Sequence, residues 1–185
     1  MILPIYVQGA DVLRKAGQDI TSEYPNLSVL IANMFDTMYE ADGIGLAAPQ
    51  IGKSINLFIL DLSQFEGDDE MPNNNTDLTT KIFINPKIIA TGEKLCPFKE
   101  GCLSVPGINE IVERPDEITI EYLDENMAKH TDTFTGMWSR AIQHEYEHLQ
   151  GNLFVDSVAQ IRKQMIASKL AAMTKGKYKA HYKTR

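Results

Sequence analysis

Gln143-His-Glu-Tyr-Glu-His148 writes H-E-x-x-H into a stretch that reads as a helix. His144 and His148 are four residues apart, so they stand one turn above each other on one helix face. Two neutral imidazoles held there can grip one metal ion, and Glu145 between them can carry a proton beside it. A catalytic metal usually takes three protein ligands and keeps one position open, so a third donor is required. Cys102 offers one: it sits in Glu100-Gly-Cys-Leu-Ser104, where Gly101 gives access to the thiol, and a thiolate is a soft, strong ligand. Gly43-Ile-Gly-Leu-Ala-Ala-Pro-Gln50 is a third unusual segment. Its glycines allow close approach of a backbone, an extended peptide could pair with it, and the Gln50 amide could donate to a carbonyl oxygen or oxyanion. Each segment alone has a plain alternative: ordinary helix histidines, a small buried cysteine, a helix-to-strand connection. Cys96, in Leu95-Cys-Pro97, takes the plain reading.

Taken together and in this order, the three segments closely resemble the signature motifs of peptide deformylases. The resemblance also takes in Val12–Lys15, Phe83–Pro86, Arg114-Pro115 and the run from Gly136 to Gly151, and so spans most of residues 1–155. It implies a metal-dependent hydrolase that removes the formyl group from formyl-methionyl nascent peptides and releases formate. Cys102, His144 and His148 would be the metal ligands, with water or hydroxide in the fourth place attacking the formyl carbon. Glu145 would be general base and acid, Gln50 and the Leu103 N–H the oxyanion donors, and the backbone of Ile44 and Gly45 the strand that pairs with substrate. The resemblance implies Fe2+ in the cell. The donor set equally suits Zn2+, Ni2+ or Co2+. Two departures stand out: Glu147 occupies a position where the family usually has Asp, and the 63–80 loop is longer and more acidic than the family minimum. Glu147 is expected to affect second-layer contacts rather than activity.

Two rival functions remain at this level. A zincin-type metallopeptidase would draw its third ligand from downstream, where Asp156 and His181 lack the matching spacing. A catalytically silent ribosome- or RNA-binding relative would use the fold and a basic tail. The charge pattern bears on that tail. The chain of 185 residues has a net charge of −7, yet from Ser157 onward eight positive charges face no Asp or Glu, leaving the rest at −15. Such a segment suits a polyanion such as ribosomal RNA; a solubilising end is the plain alternative. No apolar run is long enough for a bilayer, no signal peptide is evident, and two cysteines make no disulfide framework. The expectation is therefore a cytoplasmic protein that binds neither DNA nor membrane.

The elements that must position these residues follow from hydrophobic periodicity. Asn26 is expected to cap a first helix with Leu27, Leu30, Ile31, Met34 and Met38 on one face, stopped at Asp42-Gly43 by the glycine. Ile55–Leu62 and Lys81–Asn85 read as strands flanking the polar 63–80 loop. Glu117–Leu123 alternates and turns at Asp124-Glu125-Asn126 into Ala128–Thr135 as a hairpin. Gly136 opens the motif helix, which stops near Gly151. A last helix from about Ser157 is expected to bury Val158, Ile161, Met165 and Met173, widened by Ile166 and Leu170, with a lysine-rich end that frays beyond Thr174. The class predicted is α+β: mixed or antiparallel sheets packed around a central H-E-x-x-H helix, with N- and C-terminal helices. Residues 1–174 are expected to form one catalytic domain and 175–185 a basic tail.

Overall fold

Apolar sequence on both faces of a strand demands cover on both sides, and Leu57–Asp61 has it. The computed structural model describes residues 1–63 and 80–185; the polar loop expected over 63–80 lies, but for its end residues, outside the described residues. In chain order the elements are α1 (Leu27–Glu40), β1 (Gly45–Ala47), β2 (Leu57–Asp61), β3 (Thr80–Thr91), β4 (Leu95–Gly101), β5 (Asn109–Pro115), β6 (Glu117–Leu123), β7 (Lys129–Thr135), α2 (Gly136–Leu149) and α3 (Gln160–Met173). A five-stranded antiparallel sheet runs β1-β2-β3-β6-β7, and β4-β5 form a separate two-stranded sheet.

The larger sheet lies between two helices. Leu57, Ile59 and Ile84 point to one face and meet Leu30, Ile31, Met34 and Met38 of α1. Phe58, Leu60 and Phe83 point to the other and meet Trp138, Ala141 and Ile142 of α2. Burial of both faces is why β2 reads as an unbroken apolar run, whereas β6 alternates. The Phe58 and Phe83 rings stack at 4.6 Å, and each such buried side chain contributes roughly 1.5–3 kcal/mol. The site helix is thus fixed on a rigid sheet.

Several local expectations are corrected. Asn26 makes no side-chain cap; it sits in the left-handed region (φ 56°), a conformation Asn tolerates through its short polar side chain. The left-handed residue after α1 is Asp42 (φ 54°) and not Gly43. Gly43 is small for a different reason: a Cβ there would lie 2.8 Å from Leu103 Cδ1. The strand expected at Lys81–Asn85 continues to Thr91 through two register shifts, and β1, β4 and β5 are strands where glycines and charged residues hid the alternation. On α3, Ile161 and Met165 are exposed while Ile166 and Met173 are buried; the inward face is turned by about one residue from the expected stripe.

The lysine-rich segment expected to fray folds back on the body in the structure and makes one isolated parallel bridge, Thr184 with Ile5. It runs beside the N-terminus, with Ile5 N donating to Lys183 O at 2.9 Å and Arg185 N donating to Ile5 O at 2.8 Å. Tyr178, Ala180, Tyr182 and Thr184 are half-buried, and the residues between them are exposed. The period-two signal was present in Lys177-Tyr-Lys-Ala-His-Tyr-Lys-Thr-Arg185, masked by its charge. Among the described residues no helix is long and apolar enough to cross a membrane.

Candidate metal centre

α2 carries the two histidines toward the end of β4. Ser139 Oγ and Gln143 Nε2 both donate to Pro115 O, at 3.1 and 2.9 Å, and so tie the helix to the end of β5. Gly151, with φ +75°, ends the turn beyond the helix; a Cβ there would lie 2.9 Å from the Arg14 backbone. Cys102 follows β4 directly. The ligand atoms of Cys102, His144 and His148 all lie within 4.8 Å of one another, with Cys102 Sγ 3.3 Å from His148 Nε2. Tetrahedral ligands at ordinary zinc-type bond lengths are separated by about 3.5 Å, so one metal ion fits the three donors. His144 Nδ1 donates to Glu100 Oε2 at 2.9 Å, which fixes the tautomer and leaves Nε2 for a metal.

Behind the histidines lies a buried charge network. Glu100 accepts two hydrogen bonds from Arg114, at 2.7 and 3.0 Å, and one from Arg140 Nη1 at 2.6 Å. Arg114 also donates twice to Glu147, at 2.8 and 2.9 Å, and Ser157 Oγ donates to the same carboxylate at 3.1 Å. Arg140 Nη2 donates to the Cys96 carbonyl. Burial works to raise the Glu100 carboxyl, but hydrogen bonds from His144 and Arg114, and the Arg114 charge, outweigh it and hold the pKa at about 2. Burial and the charges at His144 and Arg114 keep His148 well below the ordinary histidine range. At His144 burial is outweighed by hydrogen bonds to Cys102 and Glu100, which raise it well above that range, so a metal would have to displace the His144 Nε2 proton. Glu147, the departure from the family pattern, therefore buttresses Arg114 and stands off the metal.

The remaining expected residues converge on the same cleft, which has a volume of about 400 Å³ and includes Ile44, Gly45, Gln50, Leu103 and Glu145 in its lining. Burial pushes the Glu145 carboxyl up to about 7, with the Glu100 charge adding to the rise and His144 opposing it. One of its oxygens, Oε2, is buried without a hydrogen-bond partner among the described residues. Gln50 is buried, and its orientation is set: Oε1 accepts the Ala47 N–H at 2.7 Å, so Nε2 must point to the cleft. There it donates to Ser104 Oγ at 3.2 Å and lies 3.6 Å from Cys102 Sγ. β1 is an edge strand. The Ile44 carbonyl accepts the Asp61 N–H at 2.8 Å, so the peptide groups of Gly45, next along, face the open edge. A Cβ on Gly45 would lie 2.5 Å from Glu145 Oε1; only glycine lets the strand pass the carboxylate.

Sequence reasoning missed part of this assembly. Arg140 lies one turn before His144 on the same helix face, a spacing that could have placed it in the network. Arg114 and Ser104 were visible only as neighbours of motifs, and Tyr182 only as part of the alternating tail. Tyr182 OH donates to the Leu103 carbonyl at 2.6 Å.

Comparison with known proteins fits this geometry. The profile of the polypeptide deformylase family matches residues 2–164. The chain is 49% identical to a peptide deformylase of Christiangramia forsetii over 189 aligned residues, covering 100% of this chain and 96% of that one. It is 45% identical to one of Flavobacterium johnsoniae, with 99% and 95% covered. Among solved structures, a Plasmodium falciparum peptide deformylase superposes with a TM-score of 0.83 at 35% identity, covering 93% of this chain and 95% of the other. One from Synechococcus elongatus, in complex with actinonin, gives 0.78 at 37%, with 91% and 86% covered. Similarity along the whole chain, with a Cys-His-His group able to hold one metal ion beside a buried carboxyl, places the protein in the peptide deformylase family.

Proposed function

We propose a division of labour for the deformylation that this hydrolase performs on N-formyl peptides. The observation that carries it is the convergence of the Cys102, His144 and His148 donors beside the buried Glu145 carboxyl. Cys102, His144 and His148 hold a single metal ion, taken as Fe2+ in the cell with Zn2+, Ni2+ or Co2+ able to replace it, since the donor set suits all four. When bound, the metal supplies a Lewis acid that polarises the formyl oxygen and acidifies a water. Glu145, poised near neutrality, accepts the proton of the attacking water and delivers it to the departing amine. Gln50 Nε2 and the Leu103 N–H meet the charge that develops on the formyl oxygen; one such donor is worth about 3 kcal/mol of barrier. The substrate backbone adds to the open edge of β1 at Gly45, while Ile44, expected to pair beside it, turns its carbonyl inward to Asp61. Apolar Val105, Ile108, Met137 and Ala141 in the cleft lining suit the methionine side chain.

The catalytic domain expected over residues 1–174 takes in part of the basic 175–185 segment on this reading, since Lys179, Ala180, His181 and Tyr182 line the same cleft. Nascent chains are the substrates, which puts the reaction in the cytoplasm, where unpaired cysteines stay reduced. Exposed Lys175, Lys177 and Lys183 support docking to ribosomal RNA. Converting these three to Glu should abolish co-sedimentation with ribosomes at low salt; unchanged co-sedimentation would remove that role.

The enzymatic reading is tested by anaerobic purification, metal analysis and a formate-release assay on a formyl-methionyl peptide beside its acetyl analogue. Formate from the first and no acetate from the second is expected. Equal turnover of both, or of neither by metal-loaded protein, would sink the assignment.

A further inference from the structure

We infer that the C-terminal segment, residues 177–185, is a working support of the active site, and that Tyr182 is a positioning residue for the turn that carries Leu103. The inference rests on the oxyanion role proposed for the Leu103 N–H. Val105 N donates to Cys102 O at 2.9 Å, so Cys102–Val105 is a hydrogen-bonded turn with Leu103 and Ser104 at its centre. Of the two main settings of the middle peptide unit in such turns, type II needs a left-handed third residue, and Ser104 is not left-handed, so the flipped setting is disfavoured here. Here the middle unit joins the Leu103 carbonyl to the Ser104 N–H. Tyr182 OH donates to the carbonyl at 2.6 Å, and the N–H, on the opposite side of the same trans peptide, donates to Cys102 Sγ at 3.4 Å. The tyrosine hydroxyl therefore pins the middle unit in the setting that Ser104 already favours. That setting aims the Ser104 N–H at the ligating sulfur and fixes the dihedral that leads away from the Leu103 N–H.

A second path runs from the same segment to the same site. Residues 5–8 alternate their hydrogen bonds between two edges. On one edge Ile5 and Val7 bond to Lys183 and Arg185; on the other, Tyr6 N donates to Gln50 O at 2.7 Å and Gln8 N donates to Ser104 O at 2.8 Å. The C-terminal segment thus backs residues 5–8, which in turn hold both oxyanion segments. Its side chains also reach the cleft: Lys179, Ala180, His181 and Tyr182 line it, and His181 Nε2 lies 3.2 Å from Asp42 on the side of β1. The Tyr182 ring packs against the α1 core together with Leu103. Burial pushes its hydroxyl up to about 12, so it stays a donor across the working range.

The test is Tyr182→Phe in the full-length, zinc-loaded protein, which keeps the ring and removes only the donor. Losing one hydrogen bond that acts through the oxyanion site should lower kcat about two- to tenfold, with KM for a formyl-methionyl peptide essentially unchanged. Amide hydrogen exchange at Ser104 and Val105, whose N–H groups bond to Cys102 Sγ and Cys102 O, should quicken when followed by NMR while α2 amides keep their protection. A lower melting temperature with kcat and the Ser104–Val105 exchange unaltered would overturn the inference, leaving the segment a purely structural element. A rise in KM alone would overturn it too, making Tyr182 a cleft wall. The exchange measurement needs no turnover, so it judges the positioning role even if the wild-type protein releases no formate; that second result would count against the proposed reaction instead.

Discussion

Glu100→Gln is the most demanding single test of the layer behind the ligands. Glu100 and Glu147 balance Arg114 and Arg140 in a network whose central groups are almost wholly buried. Removing the Glu100 charge leaves two guanidiniums to one carboxylate. A carboxyl held at about 2 rather than 4.5 is favoured in its charged form by about 3 kcal/mol at neutral pH. Breaking a buried ion pair from one side costs a similar amount, about 3–5 kcal/mol. Glu100→Gln should therefore lower the unfolding free energy of metal-free protein by about 3 kcal/mol at pH 7, read from urea denaturation. The pH dependence follows from the sign of the shift. The folded pKa is depressed, so this stability is fully present above about 4.5 and is lost as pH falls through 2. The gap between wild type and variant should have roughly halved by pH 3. His144 also loses the acceptor that orients it, and metal affinity should fall about 10- to 100-fold. A loss under about 1 kcal/mol at pH 7, or a gap constant from pH 7 to pH 3, would refute the reasoning.

Two further outcomes separate the roles within the site. Glu145→Gln should retain one metal per chain yet lose about 10²- to 10⁴-fold in turnover, whereas Cys102→Ala should lose the metal itself on dialysis; full activity in either variant means the roles are misassigned. Gly45→Ala places a Cβ 2.5 Å from Glu145 Oε1 and 2.7 Å from Leu60 Cδ2, so kcat should drop about 10²-fold through displacement of the carboxylate, with metal content intact; steady-state kinetics beside metal analysis would expose an error if kcat stayed at the wild-type level.

The actors were legible in the chain because their chemistry is local. H-E-x-x-H sets two imidazoles on one face by helix geometry alone, Cys102 and Gln50 stood out in glycine-bearing segments, and α1, β6, β7 and α2 carry clean periodicity. What failed was orientation where burial depends on a partner. Ile161 and Met165 were as apolar as Ile166 and Met173, and only the packing of α3 on Val7, Val112 and Phe154 decided which face went in. β4 and β5 escaped notice because Glu100, Arg114 and Glu110 occupy buried positions on them, and a buried ion network reads in sequence as a solvated loop.

The residue types at positions 102, 144, 145 and 148 by themselves determined that a metal and a proton carrier could meet. Tertiary structure decided how they are held. It closed a network across residues 100, 114, 140 and 147, turned the Gln50 amide by the Ala47 N–H, and brought the alternating tail back so that Tyr182 reaches Leu103 from 79 residues away. The physical reason is range. Helical spacing is written within a few residues, whereas a buried charge or a hydroxyl finds its partner only once the sheet has brought distant segments together.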